Sequence, residues 1–230
     1  FFASVTHELR TPLTSIRLQA ETIADALGSD RPATRHPGNQ DETQALIGRL
    51  LEDTTRLESQ VEQALELARV EGGGNLLLEP IALGPYLERA QKAWKTRGPA
   101  TFGTLEIQLG ELSELEPEIL GDPGAIQIIL RNLLENTLRH GGTSAPRVSL
   151  SVSAEGERVA VTVRDNGRGP AQDPKELGRL FEKGPSSRGA GVGLYLVRQL
   201  MKSMGGSCEF AKAEGGGFEA TLWFRRAPAT

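Results

Sequence analysis

Three consecutive glycines, Gly72 to Gly74, divide the chain into two stretches whose apolar residues repeat with different periods. Before them, Phe2, Val5, Leu9, Pro12, Ile16, Ala20, Ile23 and Leu27 recur in steps of three and four, and Ile47, Leu50, Thr54, Leu57, Val61, Ala64 and Ala68 repeat the pattern. Steps that average about 3.5 residues make the seam of a coiled coil. A stretch rich in Gly, Pro and Asp from Gly28 to Gly38 separates the two seams, so residues 1–72 are expected to form two antiparallel helices joined by a loop. A lone hairpin leaves both apolar stripes uncovered. Two copies can bury them in a four-helix bundle, which predicts a homodimer.

Past the glycines, short β-like runs alternate with helix-like ones, the pattern of a layered sheet-and-helix domain. Expected strands cover residues 76–83, 104–109, 147–154, 158–164, 207–211 and 218–224. Expected helices cover 84–97, 123–140, 174–182 and 192–204. Gly156 sits between two of the strongest strands, where a hairpin turn needs it. The fold class is therefore α+β, with a helical hairpin at residues 1–72 and a layered domain at 73–230.

Composition narrows what such a chain can do. Lys and Arg number 26 against 30 Asp and Glu, a formal charge of −4, so no overall basic field is available to grip nucleic acid. Nucleic acid is not an expected partner. The single cysteine, Cys208, cannot form an internal disulfide, and no Cys/His group has zinc-site spacing. A reducing compartment is expected. No apolar run approaches the ~20 residues of a membrane-spanning helix, and the first residues lack the basic-then-apolar pattern of a signal peptide. The chain starts at Phe1 without an initiator Met, and an upstream segment is expected.

Four clusters carry chemistry. In His7-Glu8-Leu9-Arg10-Thr11-Pro12-Leu13 the histidine lies on the flank of the first seam, in a helix expected to kink at Pro12. Read alone, His7 is more simply a polar surface histidine. In Asn132-Leu133-Leu134-Glu135-Asn136-Thr137-Leu138-Arg139-His140, steps of four align Asn132, Asn136 and His140 on one helix face. Asparagine is a poor helix former, and its amide oxygen suits a hard cation such as magnesium; a plain polar face is the other reading. Asp165-Asn166-Gly167-Arg168-Gly169 closes an expected strand, where glycines admit a flat ligand and a carboxylate can accept an amino hydrogen. Gly189-Ala190-Gly191-Val192-Gly193-Leu194 opens an expected helix, whose free amides can cradle phosphate. Either glycine cluster alone is also an ordinary turn.

In this order the four clusters resemble the sensor histidine kinases of two-component signalling, over almost the whole chain. The resemblance implies a dimerisation and histidine-phosphotransfer domain followed by a GHKL-type α/β sandwich that binds ATP. By the same resemblance His7 is the phosphoacceptor and Glu8 accepts its ring proton. Asn132 and Asn136 form the asparagine box, with Asn136 holding Mg, and Arg139 and His140 lie near the nucleotide. Asp165 holds adenine with Gly167 and Gly169 nearby, Phe181 belongs to the phenylalanine box, and Gly189, Gly191, Gly193 and Leu194 form the phosphate-side box. Thr11 resembles the hydroxyl that orients water in kinases that also dephosphorylate their regulators.

Hydrolysing members of the superfamily carry a glutamate where this chain has Asn132. An amide cannot act as a general base, so transfer to histidine is favoured over steady ATP hydrolysis. The implied function is autophosphorylation of His7 followed by transfer to an aspartate on a response-regulator receiver domain. The implied setting is the cytoplasmic portion of a bacterial sensor anchored in the inner membrane. Pro170, in place of an aliphatic residue, and the short segment between Phe181 and Gly189 imply a compact or disordered lid. Two competing readings are a non-catalytic nucleotide-binding dimeric scaffold and a GHKL ATP hydrolase.

Overall fold

The computed structural model describes residues 76–101, 105–112, 117–178 and 192–228, together with scattered helical positions between 13 and 68. Contacts within the chain divide it into two compact units, Phe1–Glu66 and Leu67–Thr230.

In the first unit, the described positions in two runs, from 13 to 23 and from 44 to 66, are helical. The runs are tied side by side by polar contacts. Asp53 Oδ2 accepts from Ser15 Oγ at 2.7 Å and from Gln19 Nε2 at 3.1 Å. Ser15 and Gln19 are four residues apart and themselves bonded at 3.1 Å, as neighbours on one helix face should be. Leu13, Leu18, Ile47, Leu51, Val61 and Leu65 stay exposed within the chain. The interhelical loop expected at 28–38 lies outside the described residues.

The second unit is a seven-stranded sheet with helices packed on it. Its elements run β1 (Glu79–Ala82), α1 (Leu83–Thr101), β2 (Glu106–Leu112), β3 (Glu118–Gly121), α2 (Pro123–His140), β4 (Arg147–Glu155), β5 (Arg158–Asp165), α3 (Gly193–Ser203), β6 (Ser207–Lys212) and β7 (Phe218–Arg226). The order across the sheet is β1-β3-β7-β5-β4-β2. Only β2 and β4 pair in parallel among these neighbours. β7 is long enough to share one edge between β6, against residues 218–223, and β3, against 225–226.

Alternation decides which face is covered. Leu150 lies opposite Val163, which lies opposite Ala220; Val152 lies opposite Val161, which lies opposite Leu222. All six are buried and form the floor of the core. α2 supplies Ile126, Ile129, Leu130, Leu133 and Leu134, and α3 supplies Leu196, Val197, Leu200 and Met201, each set at the three- and four-residue steps that make one helical face. Burying a side chain of this size contributes about 1.5–3 kcal/mol before entropy is counted.

The N-terminus of α2 is fixed by one carboxylate. Asp122 has extended backbone, its Oδ1 accepts from Ala125 N at 2.9 Å, and Pro123 follows at the first helical position. Its other oxygen accepts from Leu77 N at 2.9 Å, which holds the incoming chain against the start of α2. The Tyr86 hydroxyl, on α1, donates to the Pro123 carbonyl at 2.8 Å. Burial, and then the Asp122 charge, push its pKa up to about 12.

Several sequence expectations change here. The strand expected at 76–83 is confined to Glu79–Ala82, because residues from Leu83 onward wind into α1. β3 was not anticipated: it has four residues and follows Pro117, so it lacks room for a visible alternation. The helix expected at 174–182 forms only a single 3-10 turn, Pro174–Glu176, within the described residues. Asp173 caps that turn by accepting from Lys175 N, and extended Leu177 with Gly178 at φ +75° ends it.

Candidate functional site

The last residue of β5 is the centre of the site. Asp165 is 6% exposed, and its Oδ1 accepts from Gly167 N and from Phe218 N, both at 2.9 Å. Its Oδ2 meets the Thr137 hydroxyl of α2 at 3.2 Å. A buried carboxylate is costly unless its lone pairs find donors, and these three, from a loop, a strand start and a helix, hold it in place. Backbone must approach closely for this to happen. A Cβ on Gly167 would fall 2.6 Å from the Gly141 Cα, and one on Gly217 would collide with the Asp165 carbonyl. Gly169 lies against Gly217 on the same rim.

Five residues before Thr137 on α2 stands Asn132, 5% exposed, whose Nδ2 donates to the Ile128 carbonyl at 2.9 Å. A Cβ on Gly193 would fall 2.9 Å from Asn132 Oδ1. Glycine at the first position of α3 thus lets that helix terminus close on the asparagine. The residue before it, Val192, offers no side-chain cap, and a helix start of this kind suits an anion. Leu194, next on α3, is half-buried, as is Asn136 on α2.

The fold therefore brings Asp165, Gly167 and Gly193 up to α2, which carries Asn132 and Asn136, with Gly169 beside Gly217. Arg139 and His140 fall in the last turn of α2, and their side chains lie outside the described residues. His7, Glu8, Thr11, Phe181, Gly189 and Gly191 also lie outside them. Thr137, Gly141, Gly217 and Phe218 were missed in the sequence. Thr137 carried a usable signal, a lone hydroxyl on a stripe of Leu130, Leu133 and Leu134; the Gly215-Gly216-Gly217 run carried another.

Among the described residues no three His, Cys, Asp or Glu side chains gather as a metal site. A divalent ion here would need most of its oxygens from a nucleotide's phosphates and water, which is how magnesium is commonly held. The half-buried amide of Asn136 fits that demand. On β6, burial pushes the Cys208 thiol up to about 11, which leaves little of the reactive thiolate near neutral pH.

Known proteins resemble this chain in sequence and in fold. Residues 1–73 match the family model of the His Kinase A (phospho-acceptor) domain, and residues 121–228 match that of the histidine kinase-, DNA gyrase B- and HSP90-like ATPases. The alginate biosynthesis sensor protein KinB of Pseudomonas aeruginosa is 31% identical over 94% of this chain and 35% of its own length. Sensor protein QseC of Escherichia coli K12 is 30% identical over 96% of this chain and 46% of its own. The chain thus spans less than half the length of these curated relatives. Among solved structures, the Acinetobacter baumannii histidine kinase AdeS superposes with a TM-score of 0.68 at 22% identity, covering 96% of this chain and 98% of that one. Full-length ShkA, in complex with AMPPNP, gives 0.59 at 29% identity over 99% of this chain and 46% of that one. Two family models in series, with relatives aligned across both, establish that the chain belongs to the sensor histidine kinases of two-component systems.

Proposed function

We propose that this chain is the cytoplasmic core of a homodimeric protein-histidine kinase that phosphorylates His7 from magnesium-ATP and passes the phosphoryl group to an aspartate of a response-regulator receiver domain. The observation that carries the proposal is the succession, in one chain, of a phospho-acceptor match over residues 1–73 and an ATPase match over 121–228. The functional boundary falls at residues 72 and 73. The exposed Leu13, Leu18, Ile47, Leu51, Val61 and Leu65 support pairing of two hairpins. Among the described residues no helix is long and apolar enough to cross a membrane, and anchoring would come from a sensor portion of the kind the longer relatives leave room for.

Each residue has a defined task in this reading. Asp165 accepts the amino hydrogen of adenine, Gly167 and Gly169 leave space for the flat base, and Phe181 borders the nucleotide. Gly189, Gly191, Gly193 and Leu194 present backbone amides to the phosphates. Arg139 offers a positive charge to them and His140 stacks near the base. Asn136 supplies one oxygen to magnesium and Asn132 holds the neighbouring edge of the site. When bound, magnesium neutralises charge on the β- and γ-phosphates.

His7 attacks in line through a ring nitrogen: the N–P bond forms, the bond between the γ-phosphorus and its bridging oxygen breaks, and ADP leaves. Glu8 takes the proton from the other ring nitrogen. Neutral imidazole is a competent nucleophile near neutral pH. Thr11, four residues from His7, orients water at a regulator's aspartyl phosphate in a separate hydrolytic reaction, in which water attacks phosphorus, the bond to the aspartate oxygen breaks and inorganic phosphate leaves. The test is incubation with γ-labelled ATP and magnesium. Protein-bound label that is lost in acid and retained in alkali is expected. Continuous phosphate release with no bound label would identify a hydrolase instead, and neither label nor release would identify a scaffold.

A further inference from the structure

We infer that Thr137 determines nucleobase specificity, because its hydroxyl sets which lone pair of Asp165 is left for a ligand. The inference deepens the nucleotide-binding reading and rests on it. Thr137 is 2% exposed and follows Asn136 on α2. Its Oγ1 lies 3.3 Å from the Leu133 carbonyl and 3.2 Å from Asp165 Oδ2. Both distances exceed the usual ~2.7–2.8 Å of an O–H···O bond, and one hydroxyl proton serves one acceptor at a time.

Donation to Leu133 is the ordinary back-bond of a threonine within a helix. It would leave the hydroxyl's lone pairs facing those of a carboxylate. Donation to Asp165 is charge-assisted and removes that repulsion, so the Thr137 hydroxyl donates to Asp165 Oδ2 and keeps its proton.

Lone pairs can then be counted. An ionised carboxylate offers about four acceptor positions. Gly167 N and Phe218 N use two on Oδ1, and the Thr137 hydroxyl uses one on Oδ2. One position remains, on Oδ2. Three anchors also fix the plane of a group whose terminal torsion is otherwise broad. A purine that bears an amino group there donates into the remaining position. A purine with an oxo group places one acceptor against another and is rejected.

The two conservative replacements separate this role from packing. Thr137→Val keeps the shape and deletes the hydroxyl; Thr137→Ser keeps the hydroxyl and deletes the methyl. Affinities of the whole chain for magnesium-ADP and magnesium-GDP are measured by calorimetry. Thr137→Val is expected to lose about tenfold in ADP affinity, the scale of one hydrogen bond to a charged group, with GDP affinity unchanged. Thr137→Ser is expected to keep the wild-type ADP preference. An unchanged ADP-to-GDP ratio in Thr137→Val, or equal losses for both nucleotides in both variants, overturns the inference and leaves nucleotide binding intact. Failure of the wild type to bind either nucleotide overturns the nucleotide reading, and the inference with it.

Discussion

At the scale of single residues, the hydrogen bond from Thr137 to Asp165 makes the outcome of changing Asp165 specific. In Asp165→Asn the amide oxygen can still accept from Gly167 N and Phe218 N. The amide nitrogen can donate to Thr137, whose own proton turns to the Leu133 carbonyl. The variant is expected to fold, with a melting temperature close to wild type. A donor now faces the base where an acceptor stood, so ADP affinity should fall by more than tenfold and discrimination against GDP should disappear. Calorimetry with both nucleotides checks this. Cys208 makes a second case. With its pKa raised from 9.0 to about 11 by burial, the native thiol holds about a hundredfold less thiolate at pH 8 than a free one, and thiolate is the reactive form. Alkylation at pH 8 should be slower by about that factor in the native protein, and the gap should close in denaturant or above pH 11.

Among elements, α2 does the most positioning, since Asn132, Asn136 and Thr137 all ride on it. Its start depends on Asp122, which caps Ala125 N and also receives Leu77 N. Replacing such a cap costs about 0.5–2 kcal/mol. Asp122→Ala is therefore expected to lower the urea midpoint of unfolding by that free energy divided by the slope, with the slope unchanged, and Asp122→Ser to recover most of it. This helix was legible in the sequence because it carries its own start signal, Asp122-Pro123, and a long apolar stripe. β4 and β5 were legible for a similar reason, strict alternation on both sides of the Gly156 turn. β3 was not, because four residues after a proline carry no period. The 3-10 turn at Pro174–Glu176 shares a start signal with real helices, and only its continuation tells them apart.

For the whole molecule, the site joins distant parts of the sequence. Asp165 and its glycines could be singled out as a strand end, but its donors come from residue 137 on one side and residue 218 on the other. Tertiary pairing of β5 with β7 makes the second of these, and a local reading has no access to it. The asparagine and glycine clusters were legible as separate motifs; that Gly193 touches Asn132 follows only from the packing of α3 on α2. The hairpin's seams were legible as periodicity alone, and the Ser15–Gln19–Asp53 contacts that tie its helices were not.

The central claim, that ATP bound at the α2 site phosphorylates His7, is tested most directly by locating the phosphate. After incubation with magnesium-ATP at neutral pH, tandem mass spectrometry of the intact peptide around His7 should find a phosphoryl group on its imidazole. The group should be absent from His7→Gln and from Asn136→Ala, with both variants still folded. Phosphate carried on another residue, or unchanged labelling in His7→Gln, would contradict the account.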